Sequence, residues 1–161
     1  MDNSDYDVRV DASIFDRLLD DDPKNSREVL LSRAESVRAM RRAVQRDLEI
    51  LLNTRNPLFD LAPEFENASS SVIAFGLPDF TALNVGNPSH QERLRQQIKH
   101  VLEVFEPRLR SVTLTLVPEG LSERVLRLRV DAQLVIDPVS EDVSFDIVMP
   151  LINRSYEVKE Q

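Results

Sequence analysis

The chain contains no cysteine, no tryptophan and only three glycines among its 161 residues. Without cysteine there is no disulfide framework, no thiol nucleophile and no thiolate metal site, which suits a cytosolic protein. Three glycines leave little room for a phosphate-cradling loop, and serine-nucleophile motifs are missing as well. The two tyrosines, Tyr6 and Tyr156, stand near the chain ends, so a sugar-binding cleft would find few aromatic faces. No apolar run approaches the roughly 18 to 20 residues that span a bilayer. Met1-Asp2-Asn3-Ser4-Asp5 offers no basic stretch followed by an apolar one, so neither a secretory signal nor direct membrane insertion is expected.

What is present is a core-sized hydrophobic fraction, 42%, and 30% charged residues with a formal net charge of −8. The length fits one domain. The charge is unevenly spread. Residues 1–35 hold ten acids against five bases, whereas residues 36–55 hold five arginines against Asp47 and Glu49. With a pI of about 4.8, sequence-independent nucleic-acid binding, which rests on neutralising phosphates, is not expected. The basic segment reads either as a docking face for an acidic partner or as an ordinary solvated helix face.

Residues 1–31 form an acidic arm broken by Asp20-Asp21-Asp22-Pro23, in which Ile14, Phe15, Leu18 and Leu19 recur at the spacing of a short docked helix. Residues 32–161 carry the regular patterns. Ser32-Arg33-Ala34-Glu35 has the form of a capping box, after which Val37, Met40, Val44, Leu48, Leu51 and Leu52 recur every three or four residues. Arg38, Arg41, Arg42 and Arg46 occupy much of the rest of this helix, which Asn53-Thr54-Arg55-Asn56-Pro57 ends. Residues 56–86 read as a connection with at most a short strand around Ser71 to Ala74, pinned to the core by Phe75, Leu77 and Phe80. A second helix begins near Asn87-Pro88-Ser89, with Ser89 and Glu92 as a second capping box and Leu94, Ile98, Val101, Leu102 and Phe105 as its stripe. The period then falls to two. Val112 to Leu116, Leu126 to Ile136 and Val143 to Met149 alternate apolar and polar residues, separated by Pro118-Glu119-Gly120 and Asp137-Pro138. Three such segments predict an antiparallel meander with one wet face. The expected fold is α+β, two amphipathic helices on one face of that sheet.

The seam between the second helix and the first strand is Phe105-Glu106-Pro107-Arg108-Leu109. Glu106 closes a helix at its negative end and calls for a nearby cation. Pro107 forces Glu106 out of the α region and stops the helix, and Arg108 leaves the turn with a fork suited to a carboxylate. The pair reads as a structural salt bridge, a catalytic pair or a partner-binding clamp. Glycoside hydrolysis needs two carboxyls across one cleft. Glu103 and Glu106 lie one helical turn apart and point the same way, so no catalytic residues are assigned. His90 and His100 stand ten residues apart, which is poor spacing for a metal, and no metal or cofactor is expected.

Taken in order, Leu51-Leu52-Asn53-Thr54-Arg55, Phe75-Gly76-Leu77-Pro78-Asp79-Phe80 and Glu106-Pro107-Arg108 closely resemble the TssE family of type VI secretion baseplate proteins, to which wedge proteins of contractile phage tails are related. The resemblance covers about Val37 to about Ile152. It implies that Glu106, Pro107 and Arg108 serve core integrity and baseplate assembly rather than catalysis. It further implies a cytoplasmic location at the baseplate under the inner membrane, with wedge subunits TssF, TssG and TssK and sheath subunits TssB and TssC as partners. Arg38, Arg41, Arg42, Arg46, Asn53 and Arg55 are the candidate partner-binding residues. Ile147, in the last alternating segment, is the candidate template for strand addition. The competing readings are a peptidoglycan hydrolase, after the lysozyme-like label given to relatives, and the wedge of a phage tail.

Overall fold

The computed structural model describes residues 33–57, 65–80, 87–117, 125–136, 139–150 and 155–160. The acidic arm with its expected helix, Ser32 of the first capping box, and both inter-strand turns lie outside these residues.

Two long helices carry the apolar stripes. Helix α1 spans Arg33–Asn53 and buries Val37, Val44, Leu48, Leu51 and Leu52. A short helix α2, Glu66–Ser69, and a 3-10 turn, Val72–Ala74, follow in the connection. The short strand expected there is therefore a helical turn, because the Ser71 hydroxyl caps the Ile73 amide and starts it. Helix α3, Pro88–Phe105, buries Leu94, Ile98, Val101 and Leu102. Its cap is Asn87, whose side chain accepts from the Ser89 amide at 2.9 Å, with Pro88 in the first turn. The expected Ser89–Glu92 box does not form, since the Glu92 carboxylate is taken by Arg95 and Gln96.

Strands β1 (Leu109–Val117), β2 (Val125–Ile136), β3 (Val139–Pro150) and β4 (Glu157–Glu160) make one antiparallel sheet in the order β1-β2-β3-β4. Period two puts Leu126, Leu128, Val130, Ala132, Leu134 and Ile136 on the core face. Their neighbours Val143, Phe145, Ile147 and Met149 lie beside them in register, Leu128 opposite Ile147 and Val130 opposite Phe145. A bulge between Arg110 and Thr113, with Ser111 at φ 54°, lets β1 start earlier than its alternation suggests. Helix α3 covers the β1 side of this face and α1 covers the β4 side, closing one core. Each fully buried Leu, Ile, Val or Phe contributes roughly 1.5–3 kcal/mol, so the layer pairing rests mainly on this face. The α+β architecture is as expected, with β4 as an added strand.

That added strand corrects one site reading. Ile147 is fully buried and its residue pairs with Val158 of the same chain. The β3 edge at Ile147 is already occupied, so it is no template for an incoming strand.

Candidate functional site

The three short strings noted in the sequence meet at one place. At the end of α1, the backbone of Thr54 and Asn56 clasps Leu77: Leu77 N–H donates to Thr54 O at 2.8 Å and Asn56 N–H to Leu77 O at 2.7 Å. Arg55 and Leu77 thereby form an isolated parallel bridge. The buried Asn56 side chain donates to Ala74 O at 2.9 Å, closing the loop from inside. Gly76 sits at φ 107°, and a Cβ there would lie 2.4 Å from Thr54 O. Only glycine lets the second string approach the first so closely. Phe75 then meets Phe105 edge-to-face at 5.5 Å, joining the second string to the third.

The third string is a turn with a buried charge. Glu106 has φ −122° and ψ 73°, outside the helical region as Pro107 requires. Its N–H still donates to Leu102 O, and its carbonyl accepts from Leu109 N–H at 3.0 Å, so Pro107 occupies the first corner of a closed turn. The Glu106 residue is 3% exposed. Arg108 meets it in parallel, Nε to Oε1 and Nη2 to Oε2, both at 2.5 Å. The same Nη2 reaches Asp47 Oδ2 on α1 at 2.7 Å, and Arg46 holds Asp47 Oδ1 through Nε and Nη2 at 3.1 and 2.9 Å. Arg108 O finally accepts from Val135 N–H of β2 at 2.8 Å. One arginine thus ties together the end of α3, the middle of α1 and the sheet. The hydrogen bonds that Arg108 donates to Glu106 raise the Arg108 pKa further above its already high ordinary value, against the opposing effect of burial, with Asp47 adding to the shift. Asp47 is the member that sequence reasoning missed, since only the fold brings it to a residue 61 positions away.

Of the candidate partner-binding residues, most are committed within the chain. Arg41 bonds Glu141 of β3 and Glu160 of β4, both at 3.0 Å. Asn53 holds the backbone of Tyr156, accepting from its N–H at 2.8 Å and donating to its carbonyl at 2.9 Å. Arg46 is on Asp47, and Arg55 lies 3.6 Å from Asp79. Arg38 and Arg42 are exposed. The predicted basic face therefore divides into an inward part and a smaller outward pair. Both oxygens of the Glu106 carboxylate face Arg108, while Glu103 is exposed beside Lys99 at 3.7 Å. The two carboxyls do not face one another across a cleft.

A small α+β module whose seam is tied by an ion-paired turn is built to hold its elements in register. The family described as "Baseplate wedge protein gp25" matches residues 38–139, well over half the chain, and the protein belongs to that family. The resemblance read from the three strings is thereby borne out at the level of the wedge family. A solved structure titled "The baseplate complex from the type VI secretion system" contains a chain similar over 69% of this one and 94% of its own, with 18% identity and a TM-score of 0.48. None of the curated proteins compared matches the chain.

Proposed function

We propose that this protein is a non-enzymatic structural subunit of a type VI secretion baseplate, working in the cytoplasm at the membrane-docked assembly. Membership of the baseplate wedge family over residues 38–139 carries this reading. The intact Glu106-Pro107-Arg108 seam supports it, because its two charged side chains are paired with each other and join the helices to the sheet. In this reading the chain joins the wedge subunits TssF, TssG and TssK and meets the first sheath layer of TssB and TssC. Among the described residues no helix is long and apolar enough to cross a membrane.

The surface offered to the sheath is the outer edge of β1. Among the described residues this strand ends the sheet, and its stretch Val112-Thr113-Leu114-Thr115-Leu116-Val117 carries no charge, proline or glycine. Edges that must avoid pairing are normally blunted by such residues, so an unblunted one suits strand addition. Co-purification of the tagged protein with the wedge subunits tests the assignment. Retention of the partners by the unsubstituted chain and their loss with Arg108→Ala is the expected result. Failure of the folded, unsubstituted protein to retain any wedge subunit would refute it.

A further inference from the structure

The two edges of the sheet are treated very differently, and the difference lies in α1. Arg41, Gln45, Glu49 and Asn53 recur at four-residue steps along one flank of the helix, and all four reach β4 or Tyr156 just before it. Gln45 Nε2 donates to Val158 O at 2.7 Å, and Glu49 Oε1 accepts from Val158 N–H at 3.1 Å. Asn53 satisfies both backbone groups of Tyr156, and Arg41 holds the Glu160 carboxylate. In an antiparallel ladder a residue's N–H and C=O face the same side. Tyr156 and Val158 therefore turn away from β3 the groups that an added strand would use, and α1 side chains have taken them. Of the two parts of β3 that β4 leaves unpaired, Val139–Ser144 carries Glu141 and Asp142, with Arg41 lying on Glu141, and Met149–Pro150 ends on a proline. Helix α1 closes this side, while among the described residues no strand pairs with the outer edge of β1.

We infer that the Arg41–Gln45–Glu49–Asn53 stripe is a lock that makes the sheet a one-sided template, preventing the β1 edge of a second copy from pairing at the β3 edge. This rests on the reading of β1 as the strand-accepting edge. The second copy is the occupant that the chemistry selects. Its β1 is an extended edge of nine residues, uncharged from Ser111 to Val117, long enough to replace the four-residue β4 and continue along β3. A contact between β1 of one chain and β3 of the next is head-to-tail, so it would propagate rather than close. A subunit that must present one edge to a partner is kept from polymerising by closing the other.

The test is the full-length Gln45→Ala/Asn53→Ala double variant, followed by amide hydrogen exchange and by light scattering over a concentration series. Exchange at Tyr156 and Val158 should quicken by at least about tenfold. The average mass should exceed that of the unsubstituted chain and rise with concentration. Adding Thr115→Pro or Leu116→Pro should reverse that rise, since successive residues of a strand aim their amides at opposite sides and one of the two faces the open edge. Unchanged protection at Tyr156 and Val158 would show that the stripe does not hold β4 and would overturn the inference. So would a variant that releases β4 yet keeps the mass of the unsubstituted chain at every concentration. Neither result bears on whether β1 of the unsubstituted protein binds sheath subunits, which is measured separately with those partners.

Discussion

At the residue scale the protein turns on Arg108. Its fork is shared between a nearly inaccessible carboxylate, Glu106, and a more exposed one, Asp47, whose side chain is 32% exposed. Removing Arg108 leaves Glu106 charged, buried and unpaired, a change that costs roughly 3–5 kcal/mol. Removing Asp47 forfeits a partly screened contact of about 1 kcal/mol. Thermal melts should therefore rank Arg108→Ala as severe and Asp47→Ala as mild. For a chain of this length about 1 kcal/mol moves the midpoint by roughly 2–4 °C, so the two variants should differ by about 4–16 °C. Equal midpoints would mean that Glu106 finds another partner or water. Gly76→Ala supplies an independent check on the neighbouring clasp. The positive φ and the 2.4 Å approach to a backbone oxygen should make it destabilising by about 1–3 kcal/mol, although alanine ordinarily stabilises a flexible loop. The Glu-Pro-Arg turn was legible because proline and the helix end dictate its local shape. Asp47 and Asn56 were not, because their partners are distant in the chain and no local pattern distinguishes an inward Asp or Asn from a solvated one.

At the element scale the helices and three strands were legible for one physical reason: each buries a single face, so its period is written in the order of apolar residues. Strand β4 was not read as a strand, since Glu157-Val158-Lys159-Glu160 has one apolar residue and no alternation to measure. Its place is set by β3 and by α1 side chains. The same limit applies to the basic character of α1, where charge alone could not separate arginines that bind inward from those that face water. The exposed pair, Arg38 and Arg42, stands one helical turn apart and remains the outward basic feature of this helix among the described residues. Reversing both to Glu should shift stability by only about 0.5 kcal/mol or less, as exposed changes usually do. Affinity for an acidic wedge partner should fall, and fall most at low salt, where screening is weakest. Arg41→Glu should behave otherwise, because it places a third acid beside Glu141 and Glu160 and ought to loosen β4 as well as change the surface. Identical salt profiles for the reversed pair and the unsubstituted chain would leave α1 with a structural role alone.

At the scale of the whole molecule the described residues amount to a sheet with one side closed by α1 and one side that none of them pairs, braced from behind by two helices that the Arg108 turn keeps in register. The purified protein is expected to leave peptidoglycan intact, and muramidase activity that disappears on substituting a single carboxylate would overturn the structural reading. The open β1 edge is the positive counterpart of that prediction. An added strand bonds to backbone amides and carbonyls, so side-chain changes at Thr115 that preserve the strand, such as Thr115→Val, should leave sheath assembly nearly unchanged. Proline removes an amide and should block assembly when that amide faces outward. Of Thr115→Pro and Leu116→Pro, the one whose amide faces β2 breaks a ladder bond and should melt early. The other should keep its fold, read as an unchanged far-ultraviolet spectrum and a smaller loss in midpoint, yet fail to seed sheath in a reconstitution with TssB and TssC. If the well-folded proline variant seeds sheath as efficiently as the unsubstituted protein, β1 is not the docking edge.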